Sequence, residues 1–363
     1  MIFAACPIYR KLDAVDHCGD QQNDNDIDGN QARQLSKSQY DEPMPYETPH
    51  SNDLDEIDRA LIAGLVADGR ATYAALAPPV GLSQAAVRAR VQRLLDDDIV
   101  TVTARIDPQT AGLAVFAFAL LLVDEPTSDV TAQLEDIEEV VFAACITGRW
   151  GALAELRCRD NRHLYETLDH LRSLTGVAEV ESLTVMEYFK QDWTGLVEEV
   201  FGQEMPPHRP SPVAGSGLDA IDLRIIGELV ADGRASYADL APVVELSQAA
   251  VRTRVQRLLE EGIVVIQAYA SAKALGIGSF AAVLITVKRD AARVVAELNA
   301  MPEITLVAAT SGRYDFICEI WSRDNADLLA SIDRIRRLDE VGVVSSHTFL
   351  SVVKEEYRIS GVA

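Results

Sequence analysis

The spacing of apolar positions changes character twice along this chain, and then the whole pattern repeats. From Leu54, apolar residues fall at 54, 57, 61, 62 and 65, a helical period. Asp68-Gly69 ends that helix, Thr72 caps a short second one through Leu76, and Pro78-Pro79 with Gly81 supplies a turn. Ser83 caps a third helix with Val87, Val91, Leu94 and Leu95 on its inward stripe, and Ile99 to Thr103 opens a strand, as a wing would. Three short helices with a tight turn before the last predict a winged helix-turn-helix. The pattern then turns to buried strands at Gly112–Val123, Val141–Thr147, Ala152–Cys158 and Val180–Phe189, with helices at Val130–Glu139 and Asn161–Ser173. The order βαββαβ predicts a ferredoxin-like sandwich, two helices on one face of its sheet. The other face is apolar and needs a partner.

All of this returns 164 residues later without a gap. LDEID at Leu54 becomes LDAID at Leu218, ADGRATYAALAP at Ala67 becomes ADGRASYADLAP at Ala231, and SQAAVRARVQRLL at Ser83 becomes SQAAVRTRVQRLL at Ser247. From Leu54 to Leu95, 31 of 42 positions are shared, so the first half of each unit has kept one job; the later halves have drifted. Their second copy reads as Gly276–Val287, Ala291–Ala300, Ile304–Ser311, Phe316–Ser322, Asn325–Arg336 and Val343–Val353. A period this long means two whole domains per repeat, not a solenoid. The predicted fold class is therefore α+β: two tandem units, each a winged helix-turn-helix followed by a ferredoxin-like βαββαβ domain. The winged helix-turn-helix domains span 53–103 and 218–267, and the sensing domains 104–190 and 268–363. Residues 1–52, rich in Asp, Asn and Gln, are too poor in apolar side chains to offset their ordering entropy and read as a disordered tail. Residues 191–217 hold a Pro/Gly/Ser linker. Its length of about 27 residues, at roughly 5–6 Å × √n, spans one domain, so the two sensing domains are expected to pair within the chain.

Charge sharpens the picture. A net charge of −23 argues against a general nucleic-acid coat, so any DNA contact must be focused on a small surface. The third helix has one: Arg88, Arg90 and Arg93 follow its start with no acid between Ser83 and Leu95. Gln84 and Arg88 lie one turn apart on the outward face near the N-terminus, where Gln pairs with adenine and Arg with guanine. Gln92 and Arg93 suit phosphates, while Arg90 lies near the inward stripe, where an ion pair competes. The second copy offers Ser247, Gln248, Arg252, Arg254, Gln256 and Arg257, and the two helices differ only at Ala89 versus Thr253. One chain is thus expected to act as a covalent pseudo-dimer on double-stranded DNA with a pseudo-palindromic operator. The five cysteines form no CxxC, and those in strands read as buried thiols. The longest apolar run, Ala111 to Val123, falls short of the roughly 20 residues a membrane span needs, so a cytoplasmic protein is expected.

Together LDxID, DGRxxYxxLA, LSQAAVRxRVQRLL and the later SGRYDF resemble the Lrp/AsnC family of bacterial and archaeal transcription regulators, over roughly 54–190 and 218–354. The resemblance implies dimers and larger rings, hence a homo-oligomer of pseudo-dimeric chains, and a small-molecule effector, an amino acid or related metabolite. It further implies an effector loop of Gly-x-x-Asp pattern after the second sensor strand. Gly312 and Asp315 carry that pattern, flanked by Thr310, Ser311 and Arg313. There, hydroxyls and backbone N–H groups are expected to hold a carboxylate and Asp315 an ammonium; Asp315 as a turn residue capping its own backbone is the competing role. In the first copy Gly151 replaces the aspartate. An enzyme is weighed because siroheme decarboxylases share this fold as fused pairs, and a metabolite-binding module without DNA binding is a further alternative. The six histidines are scattered and no Ser/His/Asp or metal constellation appears, so no catalytic residue, metal or cofactor is expected.

Overall fold

The structure, a computed structural model, describes residues 54–191 and 218–355. The tail expected over 1–52 and the linker over 191–217, save Gln191, lie outside the described residues.

The first reader comprises α1 (Glu56–Ala67), α2 (Tyr73–Val80) and α3 (Gln84–Asp96), and each helix starts on a side-chain cap: Asp55, Thr72 and Ser83. α2 runs through Pro78 and Pro79 to Val80 instead of stopping at Leu76, because the proline φ fits a helix and the left-handed Gly81 (φ 66°) closes it. β1 (Val100–Ile106) follows. The first sensor comprises β2 (Val115–Val123), α4 (Thr127–Glu135), β3 (Val140–Ile146), β4 (Ala152–Cys158), α5 (Asn161–Ser173) and β5 (Val177–Gln191). α4 starts and ends earlier than Val130–Glu139, since Asp136 ends the helix and Val140 already belongs to β3. The second unit repeats the order as α6 (Ala220–Ala231), α7 (Tyr237–Val243), α8 (Gln248–Glu260), β6 (Val264–Ala270), β7 (Ser279–Val287), α9 (Ala291–Asn299), β8 (Ile304–Ser311), β9 (Phe316–Ser322), α10 (Asn325–Arg336) and β10 (Val341–Glu355).

The wing strand of each unit finds its partner in the other unit. β1 and β6 pair antiparallel from Val100↔Ala270 to Ile106↔Val264, and the equivalent residues Thr103 and Gln267 face each other at the centre. A pseudo-twofold axis therefore passes through this ribbon. The boundaries expected at 103/104 and 267/268 fall within these two strands. Each reader core is completed across the ribbon. Leu61, Ile62, Leu65, Val87, Val91 and Leu94 share a cluster with Ala268, Tyr269 and Ala270, while Ile225, Ile226, Leu229, Val251, Val255 and Leu258 share one with Ala104 and Ile106.

The sensors close into one barrel of order β10-β3-β4-β2-β5-β8-β9-β7. Each four-stranded sheet has the ferredoxin-like order, and the last strand of each unit pairs antiparallel with the second sensor strand of the other, β5 with β8 and β10 with β3. The apolar sheet faces meet inside the barrel, where Phe118, Leu120, Phe142 and Leu153 pack with Leu284, Leu306 and Ile317. Helices cover the outside. With both faces covered, β3, β4 and β9 are buried along their whole length. Two lysines reach across the seams: Lys190 Nζ donates to the carbonyls of Asn299 and Met301 at the end of α9, and Lys354 Nζ to those of Glu135 and Ile137 at the end of α4. Within this one chain the two sensors pair with each other along both seams.

Candidate nucleic-acid interface and sensor loops

The third helices of the two units, α3 and α8, keep Val87, Val91 and Leu94, and Val251, Val255 and Leu258, inward, which turns Gln84, Arg88 and Gln92, and Gln248, Arg252 and Gln256, outward. Ser83 and Ser247 spend their hydroxyls as caps, accepting from the Ala86 and Ala250 N–H at 3.2 Å. Among the described residues no hydrogen bond or ion pair engages the side chains of Gln84, Arg88, Gln248 or Arg252. Four polar groups near the helix starts are thus free to meet base edges.

The other arginines are occupied. Arg90 donates to Asp55 (2.6 Å) and Asp58 (2.9 Å), and Arg93 to Asp58 (2.5 Å); Arg254 donates to Asp219 and Asp222 (both 2.8 Å), and Arg257 to Asp222 (2.5 Å). Asp58 and Asp222 are buried, and these guanidinium groups pair their carboxylates. The backbone N–H of Asp58, then Arg90, hold the Asp55 carboxyl below the usual carboxylate range; that of Asp222, then Arg254, do the same for Asp219. Arg90 and Arg254 bolt the third helix to the first, because they sit on the flank facing the LDxID acids; this is the ion pair that competes with a DNA contact. Arg93 and Arg257 share that bolt while keeping part of the guanidinium exposed. Gln92 Nε2 donates to Asp96 at 2.9 Å.

Sequence reasoning took Asp68-Gly69 as a helix stop and missed what Arg70 does. Arg70 donates to the Ala235 carbonyl and lies over the Tyr237 ring, while Arg234 donates to the Gly69 and Ala71 carbonyls and lies over Tyr73. Gly233 lies on the Thr103 backbone, donating its N–H to the Val102 carbonyl at 2.9 Å. DGRxxY is therefore a reciprocal clasp between readers. Its retention in both copies was the available signal.

The two sensor loops differ. In the second unit Ser311, Gly312 (φ 129°) and Arg313 are exposed at the tip. Thr310 is buried, with its hydroxyl donating to the Tyr314 carbonyl at 2.8 Å. Asp315 accepts the Val287 N–H at 2.6 Å, tying the loop to β7, which is a turn role across to a neighbouring strand. In the first unit Gly151 donates its N–H to the Leu121 carbonyl, and a Cβ there would lie 2.4 Å from Val123. Gly148 of that loop is pressed by His347, whose Nδ1 lies 2.8 Å from the Thr147 carbonyl and whose Nε2 lies 2.9 Å from Ser345 Oγ. The equivalent residue against Gly312 is Leu183.

Glu155 and Glu319, equivalent residues inside the barrel, were also missed. Burial raises both carboxyls, Glu155 against the pull of Arg157 and Glu319, despite the Trp321 Nε1–H bond at 2.7 Å, to about 8. A lone acid kept at the same place in two apolar strands, ALAELRC and FICEIWS, was the signal.

The family model of the AsnC-type helix-turn-helix domain matches residues 54–95 and 218–259, and that of the Lrp/AsnC ligand binding domain matches 117–194 and 281–359. The HTH-type transcriptional regulator LrpA of Mycobacterium tuberculosis is 36% identical over 142 residues, covering 38% of this chain and 94% of that protein. The regulatory protein AsnC of Escherichia coli is 28% identical over 141 residues, covering 37% of this chain and 91% of that protein. Each of these relatives matches one unit's worth of chain. Among solved structures, the siroheme decarboxylase NirDL is similar over 83% of this chain and 93% of that one, with a TM-score of 0.59 at 15% identity, a likeness of fold alone.

Proposed function

The chain belongs to the Lrp/AsnC family of transcription regulators, two units in one polypeptide, and from that premise we propose that a single chain binds a pseudo-palindromic operator as a complete pseudo-dimer. The observation that carries the reading is the β1–β6 ribbon, which relates α3 and α8 by a pseudo-twofold axis and leaves Gln84, Arg88, Gln248 and Arg252 exposed. Those four read bases. Ser83, Gln92, Arg93, Ser247, Gln256 and Arg257 contribute phosphate contacts through whatever their internal bonds leave exposed. The working division is readers at 53–103 and 218–267 and sensors at 104–190 and 268–363.

The sensors take a small effector, in this reading an amino acid, at the loop tip of Ser311, Gly312 and Arg313. There the exposed guanidinium suits a carboxylate. The chain works in the cytoplasm, has no catalytic role, and assembles further as whole pseudo-dimers. No helix among the described residues is long and apolar enough to cross a membrane.

A mobility shift with the protein's own upstream DNA, repeated over a salt series, tests the reading. Specific binding that weakens steeply with salt and is lost on Arg88→Ala with Arg252→Ala supports it. Binding unaffected by that double change overturns it. The likeness of fold to a siroheme decarboxylase over most of the chain favours one second reading, an enzyme acting on a tetrapyrrole. A tetrapyrrole absorption band copurifying with the protein would bring that reading forward.

A further inference from the structure

We infer that the two readers are unequal, so that the chain grips its operator in one orientation, with the first reader on the tighter half-site; this rests on the DNA-binding reading above. When a helix-turn-helix docks, the helix before the recognition helix crosses the phosphate backbone, and the turn between them lies close to it. On that surface the second unit carries two acids that the first lacks. Asp239 in the first turn of α7 stands where the first unit has Ala75, and Glu245 in the turn stands where it has Gly81. All four positions are exposed. Asp239 is fixed by a capping box, its carboxylate accepting from the Ser236 hydroxyl at 2.6 Å and the Ser236 N–H at 3.3 Å.

Glu245 is held in the left-handed region at φ 57°, where Gly81 in the first unit has φ 66°. A non-glycine residue pays for that conformation. Arg224 is turned to the Val243 carbonyl, two residues before Glu245. The second unit thus places carboxylates where DNA brings phosphates, and like charges repel. The base-facing side differs as well. Thr253 replaces Ala89 and its hydroxyl donates back to the Ala249 carbonyl at 3.1 Å, so this position adds a methyl's bulk and no free donor. Opposed acids set unequal strength, and Thr253 sets a different edge for the weaker half-site.

The test uses the full chain and half-site duplexes chosen by selection from random double-stranded DNA. On a duplex carrying one half-site, Arg88→Ala is expected to weaken binding at least fivefold more than Arg252→Ala does. In a background of Asp239→Asn with Glu245→Asn, which removes both charges while Asn tolerates the cap and the left-handed turn, that difference is expected to shrink below twofold, with the second reader about fivefold tighter. The reverse pair, Ala75→Asp with Gly81→Glu, is expected to weaken the first reader, while its uncharged control, Ala75→Asn with Gly81→Asn, leaves that reader's half-site binding within twofold. Equal losses for Arg88→Ala and Arg252→Ala on selected half-sites overturn the inference and leave the DNA-binding reading standing. Failure to select any sequence, even at low salt, overturns both.

Discussion

The readers and the sensors of this chain solve the same problem, pairing a unit with its own copy, by different means. The readers add particular side chains to their β1–β6 ladder: Arg70 and Arg234 on opposite carbonyls, Tyr73 and Tyr237 beneath them, and Gly233 against the Thr103 backbone. Few substitutions satisfy all of those contacts. The sensors pair through backbone ladders along β5–β8 and β10–β3, which any strand residue can supply, and through apolar faces where one apolar side chain can stand for another, reinforced by Lys190 and Lys354. The difference accounts for 31 shared positions of 42 in the readers beside drifted sensors. It also explains how the two sensor loops diverged, one keeping Asp315 and the other sealed by His347, without opening the barrel.

Substitutions in each region separate the two modes of pairing. The largest expected effect lies in the sensors. Glu319 titrates near 8 in the folded chain against 4.5 in the unfolded one, so the folded state holds the extra proton between those values. Stability from this group is therefore full below about pH 4.5 and is lost as pH rises toward about 8. Glu319→Gln is expected to flatten that slope, gaining on the order of 3 kcal/mol over the wild type at pH 8.5 relative to pH 5 in denaturant melts. An unchanged slope would show that the barrel interior is wet there.

Next comes the bolt within each reader. Asp58→Ala removes the partner of Arg93 and one of the two partners of Arg90, and empties a buried polar position; with both arginines partly in solvent it should cost about 2 kcal/mol in a denaturant titration, and Asp222→Ala should match it, since both copies are wired alike. Gly233→Ala drives a Cβ to within 3.0 Å of the Thr103 backbone and should cost about 2 kcal/mol. Gly69→Ala, whose nearest neighbours stand at 3.2 Å and include two side chains, should cost less. Equal costs would mean that the ribbon is symmetric in its tolerance as well as in its register. The smallest effect is reserved for the seam lysines: Lys190→Met should cost about 1 kcal/mol or less, because the β5–β8 ladder remains.

The sequence made much of this legible because apolar period reports which face of an element is buried. Val87, Val91 and Leu94 fixed the outward face of α3 before any coordinates, and the strands at Ala152–Cys158 and Phe316–Ser322 fell where expected. Period says nothing about which copy supplies a partner. The strand after α3 looked like a wing in either case, and only the three-dimensional register of Thr103 against Gln267 shows the exchange. Which acids the third-helix arginines meet was hidden for the same reason. Arg90 and Arg254 lie beside base-facing residues in sequence, yet their partners sit 35 and 32 residues away in the LDxID motifs. Thr310 and Asp315 were legible as a loop, while the direction of their hydrogen bonds was not.

The central claim is that one chain carries both readers, locked about its own ribbon. Oxidising a chain with Thr103→Cys and Gln267→Cys, and weighing the product under denaturing, non-reducing conditions, tests it directly. These positions face each other across an antiparallel pair, close enough for a disulfide. The account predicts a cross-linked species at the single-chain mass of 39.6 kDa that regains free thiols on reduction. A product at twice that mass, with no intramolecular disulfide, would show that readers pair between chains and would contradict it.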